Sequence, residues 1–283
     1  MASFTNFATL SYNGGTTNSN IVTGEILEAL TAVKTAVSAN YSAGDRITYA
    51  LSLVNTGTAA ITDYTVTDNL GGYTVGANTV YPLAYDAGTV RYYINGVLQT
   101  APTVTAGPPL TVTGLTVPAG GNAVLIYETT ATPVAPLATG SSITNTATIT
   151  GGGLTNPITA QATVETANSA DLTISKALSP TTVTENGQIT YTFVISNTGN
   201  TEATATGNVV VTDTFAPILR NIAVTYNGTV WTEGTNYTYN AATGVFTTLA
   251  GQITVPAATF TQNTDGTFTV TPGTATLVIT GTV

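Results

Sequence analysis

The sequence contains no cysteine and no histidine among its 283 residues. The first absence excludes disulfides and thiol nucleophiles. The second removes the common general base, the Ser-His-Asp triad and zinc sites of the usual kind. Charge is scarce as well: 7 % of residues are charged, with five cations against fourteen carboxylates and a net charge of −9. Five cations cannot neutralise a phosphate backbone, so a nucleic-acid partner is not expected. No apolar run approaches the ~18 residues of a membrane span. Asp63, Asp68 and Asp86 lack the spacing of a calcium loop and read as turn residues, so neither a metal nor a cofactor is expected.

What is present favours strands. Threonine is the commonest residue, and 42 % of the chain is hydrophobic. β-Branched residues fit a pleated, half-buried surface. Short alternating segments such as 191–195 and 267–270 are separated by Asn-Gly, Pro-Gly and Gly-Gly pairs, the punctuation of antiparallel β-structure. Only 25–30 could form a short helix, and strand is the preferred reading there. The expected fold is all-β, with two tandem Ig-like antiparallel sandwiches.

The tandem arrangement is written in the sequence as a repeat. Leu172-Thr173-Ile174-Ser175-Lys176 matches Leu30-Thr31-Ala32-Val33-Lys34. Ile189-Thr190-Tyr191 matches Ile47-Thr48-Tyr49, and Asn197-Thr198-Gly199 matches Asn55-Thr56-Gly57, at the same offset. Val211-Thr212-Asp213 then matches Val66-Thr67-Asp68 after a three-residue insertion, and Leu277-Val278-Ile279 matches Val124-Leu125-Ile126. The boundaries read as an N-terminal segment 1–28, a first domain 29–168 and a second domain 169–283.

This pattern, with Ile143-Thr144-Asn145-Thr146-Ala147-Thr148-Ile149 closing the first repeat, resembles the prokaryotic conserved repeat called domain of unknown function eleven. The resemblance covers most of the chain. It implies an extracellular Ig-like module of a bacterial surface, similar to appendage subunits on spores of Gram-positive anaerobes. The first ten residues carry neither a basic nor an apolar leader, so no secretory signal is expected in this chain. Either a signal has been removed, or the protein leaves by another route, such as lysis of a mother cell around a spore.

The second repeat lacks a counterpart of 143–149. Its pattern reappears at the other end, in Phe4-Thr5-Asn6-Phe7-Ala8-Thr9-Leu10, with four of seven residues identical. A sandwich short of an edge strand exposes unpaired backbone and open core. A donor strand presenting Phe4, Asn6, Ala8 and Leu10 could fill that gap in the next molecule, and a head-to-tail contact of this kind builds a filament. Two alternatives stand: the segment folds back into its own second domain, or the match is fortuitous.

The chain has two lysines, Lys34 and Lys176, at equivalent positions. Strand parity points Lys176, Asp68, Asp213, Asn145 and Asn6 toward the core, with Lys34 less cleanly placed. The order Lys, Asp, Asn resembles that of Gram-positive pilin and collagen-adhesin domains that carry spontaneous Lys–Asn isopeptide bonds. The resemblance implies Lys34 as nucleophile, Asp68 as acid catalyst and Asn145 as acceptor in the first domain. In the second it implies Lys176 and Asp213, with Asn6 arriving from a neighbour. Glu128 is a further candidate to polarise the site. The plainer reading is that both lysines form ion pairs with the aspartates and the asparagines cap bulges.

The functional expectation is a structural subunit, not an enzyme, that assembles with itself into an extracellular cell-surface or spore-surface fibre. A surface or spore anchor protein is a candidate second partner. The rival expectation is a two-domain adhesin fragment binding a sugar or protein ligand, with Tyr92, Tyr93 and Trp231 as stacking candidates.

Overall fold

A computed structural model describes residues 2–26 and 29–283. Among them there is no α-helix, only strands and one 3-10 turn. The chain divides into two compact units. Unit 1 comprises Met1–Ala135 and Ser142–Glu165, and unit 2 comprises Pro136–Ser141 and Thr166–Val283. The expected strand over 25–30 is seen at its two ends, and residues 27 and 28 lie outside the described residues.

The chain opens with four strands: β1 (Ala2–Asn6), β2 (Thr9–Tyr12), β3 (Gly15–Asn18) and β4 (Val22–Ile26). β1 pairs with β4 and β2 with β3, so they form one antiparallel arm. Its tip is Asn13-Gly14, both at positive φ, the pair that a two-residue hairpin turn demands.

The sandwich of unit 1 follows. Its long strands are β5 (Leu30–Ala36), β7 (Arg46–Asn55), β8 (Ile61–Asp68), β15 (Leu110–Val117), β16 (Asn122–Ala131), β17 (Ser142–Gly151) and β18 (Ile158–Thr166). Between them lie the short β6 (Asn40–Tyr41), β9 (Tyr73–Val75), β10 (Asn78–Val80), β11 (Leu83–Tyr85), β12 (Arg91–Ile94), β13 (Val97–Leu98) and β14 (Thr103–Thr105). One sheet runs β13-β12-β16-β7-β5, and the other β14-β15-β8-β17-β18-β6. Tyr49, Leu51 and Leu53 of β7, Leu125 and Tyr127 of β16, Val66 of β8 and Ala147 and Ile149 of β17 are buried. Their alternate neighbours are more exposed, which is the period-two pattern of a strand with one face in the core.

Unit 2 contains β19 (Leu172–Ser179), β20 (Gln188–Asn197), β21 (Thr212–Thr214), β22 (Arg220–Tyr226), β23 (Thr229–Trp231), β24 (Tyr237–Asn240), β25 (Val245–Thr248), β26 (Thr259–Gln262), β27 (Phe268–Thr271) and β28 (Gly273–Thr282). One sheet runs β19-β20-β28-β22-β23 and the facing one is only β21-β25-β24. Phe215, Phe246, Leu277 and Ile279 anchor its core.

The repeated Asn-Thr-Gly has a structural explanation. Asn55 Nδ2 donates to the carbonyls of Ala59 and Pro118 at 2.8 and 3.0 Å, while its Oδ1 accepts from Gly57 N at 2.9 Å. Asn197 does the same to Thr201 and Pro256 at 2.7 and 3.0 Å, and accepts from Gly199 N at 2.9 Å. One fully buried side chain thus ties a strand end to two loops in each unit.

The late match between repeats is corrected by one residue. Leu125 pairs with Leu51, and Leu277 with Phe193, the residue equivalent to Leu51. Leu125, not Val124, is therefore the counterpart of Leu277, and Ile279 occupies the place of Tyr127.

Candidate functional site

In unit 1, Lys34 projects from β5 in one sheet and Asp68 from the end of β8 in the other. Their side chains are 0 % and 1 % exposed, and Nζ lies 2.5 Å from Oδ2. Leu70 N donates to Asp68 Oδ1 at 2.9 Å, and the Tyr127 hydroxyl donates to Oδ2. Lys34 Nζ stands 4.8 Å from the ring centre of Tyr49 and 5.8 Å from that of Tyr127. Desolvation lowers the Lys34 pKa to about 8, against the opposing charge and hydrogen bond of Asp68. Burial raises the Tyr127 pKa, reinforced by the Asp68 charge, and burial likewise raises that of Tyr49, so both phenols stay protonated.

Asn145 faces the same interior from β17, two residues from Ala147, which pairs with Asp68. It is fully buried, and neither Nδ2 nor Oδ1 has a hydrogen-bond partner. The hydroxyls of Tyr49 and Tyr127 lie near the carboxamide without making a hydrogen bond to it. A buried unpaired carboxamide costs about 1–3 kcal/mol. One beside a lysine of lowered pKa is a reactive arrangement: an electrophilic carbon, an amine that is readily made neutral, and a carboxyl to move protons.

Unit 2 repeats half of this. Lys176 Nζ lies 2.5 Å from Asp213 Oδ2, but here the side chains are 40 % and 18 % exposed. The amine stands over Tyr191, Phe193 and Phe215 at 4.5, 5.4 and 5.6 Å. The difference lies in what covers the site. In unit 1, β8 is flanked by β15 and β17. In unit 2, β21 pairs with β25 and, among the described residues, with nothing on its other edge. Asn6 lies on β1 of the arm, paired with Val22. Phe4 and Leu10, expected on the donor face, are 53 % and 66 % exposed.

Tyr127 and Tyr49 are the site residues that the sequence reading missed. A correctly registered alignment would have shown Tyr127 two residues from Leu125 on the inward face. Glu128 lies on the opposite face, 3.3 Å from Arg46 and away from Asp68, so it does not serve the site. Trp231 stacks on Tyr226 at 4.8 Å, and Tyr92 is buried with its hydroxyl on the Thr116 carbonyl. Both are engaged in packing. Tyr93 is half-buried on β12. Asp86 is held by Arg46 at 3.0 Å and by the Thr130 hydroxyl, and Asp63 takes a positive φ.

The two ion pairs should respond differently to truncation. In an Asn145→Ala background, where the amine stays free, Asp68→Ala leaves a buried ammonium unpaired and is expected to destabilise unit 1 by a further ~3–5 kcal/mol. Asp213→Ala exposes its lysine to water and should cost under about 1 kcal/mol. Chemical denaturation of the two variants reads this contrast.

No family model matches the sequence, and no curated protein matches it. Among solved structures, the N-terminal domain of the Streptococcus gordonii adhesin Sgo0707 is similar with a TM-score of 0.36 and 14 % identity, over 48 % of this chain and 32 % of that one. The chain therefore spans about a third of that adhesin structure. A 35 kDa C-terminal fragment of the major pilin GBS80 of Streptococcus agalactiae is similar at 0.36 and 11 %, over 61 % and 86 %. The major pilin subunit BcpA of Bacillus cereus is similar at 0.35 and 14 %, over 96 % and 73 %.

Proposed function

We propose that this chain is the subunit of an extracellular fibre on a bacterial cell or spore surface. It polymerises head to tail by donating its N-terminal segment to unit 2 of the next copy, and Lys–Asn isopeptide bonds then seal the chain. The carrying observation is the contrast between the units. Unit 1 closes its lysine–aspartate pair under β17, which brings Asn145, whereas unit 2 leaves its own pair open beside the bare edge of β21. The arm carries the corresponding Asn6, Ala8 and Leu10 with no cover of their own.

The chemistry in unit 1 balances within the site. Asp68 takes a proton from the Lys34 ammonium, leaving a neutral amine. Nζ attacks Cγ of Asn145, the Nζ–Cγ bond forms and the Cγ–Nδ2 bond breaks. Asp68 relays a proton from Nζ to the departing nitrogen, which leaves as ammonia. Tyr127 holds the carboxyl in place, and exclusion of water protects the intermediate. In unit 2, Lys176 and Asp213 perform the same step on Asn6 of the neighbour. Each site turns over once, so the chemistry builds structure and not product.

Deleting residues 2–26 tests the polymerisation directly. Wild-type protein should form filaments visible by electron microscopy, and the truncated chain should sediment as a monomer. A truncated chain that still forms filaments would overturn the reading.

The pH response follows from the lowered Lys34 pKa. In Asn145→Ala the amine stays free, and the folded state releases its proton near pH 8, below the unfolded value of 10.5. Between those values the unfolded state binds more protons, so stability should rise with pH across that window. Below it the full cost of burying the cation is present. Urea titrations at pH 7 and pH 9, below the range in which unfolded tyrosines ionise and the raised pKa values of Tyr49 and Tyr127 would oppose the effect, should place the second midpoint higher.

A further inference from the structure

The two units differ by a whole hairpin and not by a single strand. In unit 1, β17 pairs with β18 along its length, from Ser142–Glu165 to Ile149–Ile158. β18 in turn lies beside β6 at the sheet edge. Among the described residues, unit 2 has no counterpart of β17 or of β18. Its segment 182–183, in the place of β6, is not a strand. The reason is physical: β6 has only β18 to pair with, so a unit without β18 has no strand there.

The base of the arm is a hairpin of the same design, although its pairing slips by one residue between β1–β4 and β2–β3 where β17–β18 runs unbroken. Phe4 pairs with Gly24, Thr5 with Thr23 and Asn6 with Val22. The equivalent pairs in unit 1 are Ile143–Val164, Thr144–Thr163 and Asn145–Ala162. The Thr–Thr pair recurs at the same place, and in unit 1 its hydroxyls are 2.9 Å apart on the exposed face. Gly24 leaves room for the Phe4 ring, which would have to swing aside for a Cβ at that position. With its Asn13-Gly14 turn, the arm therefore has its own reasons to be a hairpin before it meets anything. Its apolar face is uncovered: Val22 on β4 is 55 % exposed, alongside Phe4 and Leu10 on the partner strands. The face it would cover is uncovered too. Ile174 and Leu178, which flank Lys176 on β19, are 55 % and 38 % exposed.

We propose that the element passed between copies is the intact arm hairpin, β1–β4, seated in unit 2 of a second copy as β17–β18 is seated in unit 1. The inference rests on the polymerisation reading and adds the form and register of the donated element. β17 meets β8 through Ala147–Asp68, Thr148–Thr67 and Ile149–Val66. The corresponding intermolecular pairs are Ala8–Asp213, Thr9–Thr212 and Leu10–Val211, with β4 outside β1 and next to residues 182–183. The hairpin arrives with its two strands already paired to each other, so docking forms the ladder to β21 and a short one to residues 182–183, and less chain entropy is lost than with a lone strand.

The chain has no native cysteine, so engineered disulfides report cleanly. Thr5→Cys with Thr23→Cys staples β1 to β4 across a directly opposed pair, within the reach of a disulfide. The oxidised, locked protein should polymerise at a rate within about twofold of its reduced form. A locked protein that stays monomeric while the reduced form polymerises would overturn hairpin donation and leave single-strand donation standing. Wild-type protein that forms no filament would overturn both. A second measurement fixes the register without the lock. In an Asn6→Ala background, Thr9→Cys with Thr212→Cys should give a multimer ladder that reductant abolishes. Thr9→Cys with Thr214→Cys, two residues out of register, should give none. The reverse pattern would overturn the proposed pairing.

Discussion

Fibres of the wild-type protein, boiled in detergent, are expected to run as a ladder of multimers, and Asn6→Ala is expected to collapse that ladder to monomer. The size of the effect follows from the kind of bond. A strand-donated contact held by backbone hydrogen bonds and apolar packing unfolds with the domain that holds it, and boiling detergent unfolds the domain. An amide bond between Lys176 and Asn6 survives. Each subunit joined in this way also loses about 17 Da as ammonia leaves. Asn6→Ala keeps the apolar face of the arm, so filaments should still form before denaturation. That separation between assembly and sealing is the signature of the proposed order of events.

The second large effect is expected within unit 1. Asn145→Ala removes the acceptor and so the proposed covalent link between Lys34 and residue 145, which would close a loop of about 110 residues. By the chain-entropy account, a cross-link of that span is worth about 5 kcal/mol. For a domain of this size, that corresponds to a fall in melting temperature of about 15 °C. The substitution also removes a buried, unpaired carboxamide, which offsets part of the loss. Tyr127→Phe provides the finer control. It keeps the packing and the acceptor but takes the hydroxyl from Asp68, so the final bond should be intact and its formation slower. Thermal denaturation reads the first variant, and intact mass followed over time from the start of cell-free synthesis reads the second.

The sequence carried much of this and not all of it. The repeat, the strand alternation and the turn signals pointed to tandem all-β sandwiches because each is local and periodic. Lys34, Lys176, Asp68 and Asp213 stood out because they are rare charges at inward positions, and the structure places each lysine against its aspartate. What the sequence obscured was register. A one-residue slip in aligning β28 with β16 hid the inward place of Tyr127, which touches Asp68, while Glu128, named as a candidate, lies on the outer face. Pairing across a sheet, not likeness along a string, decides which residues oppose one another. The second strand of the arm was also hidden. Val22–Ile26 shares only a threonine and a glutamate with the aligned end of β18, and Gly24 breaks the apolar alternation. The recurrence of the Ser–Glu and Thr–Thr pairs in two hairpins makes the correspondence visible.

The most direct test of the account joins Lys176 to Asn6 across two copies. Subunits grown in heavy and light nitrogen are mixed before assembly, and the fibres are digested and sequenced by mass spectrometry. The account predicts a branched peptide containing Lys176 and Asn6, about 17 Da lighter than the sum of its parts, with half of the population carrying one heavy and one light arm. Peptides that are wholly heavy or wholly light would mean that the arm folds back into its own chain. Finding Lys176 only as a free side chain would contradict the covalent fibre altogether.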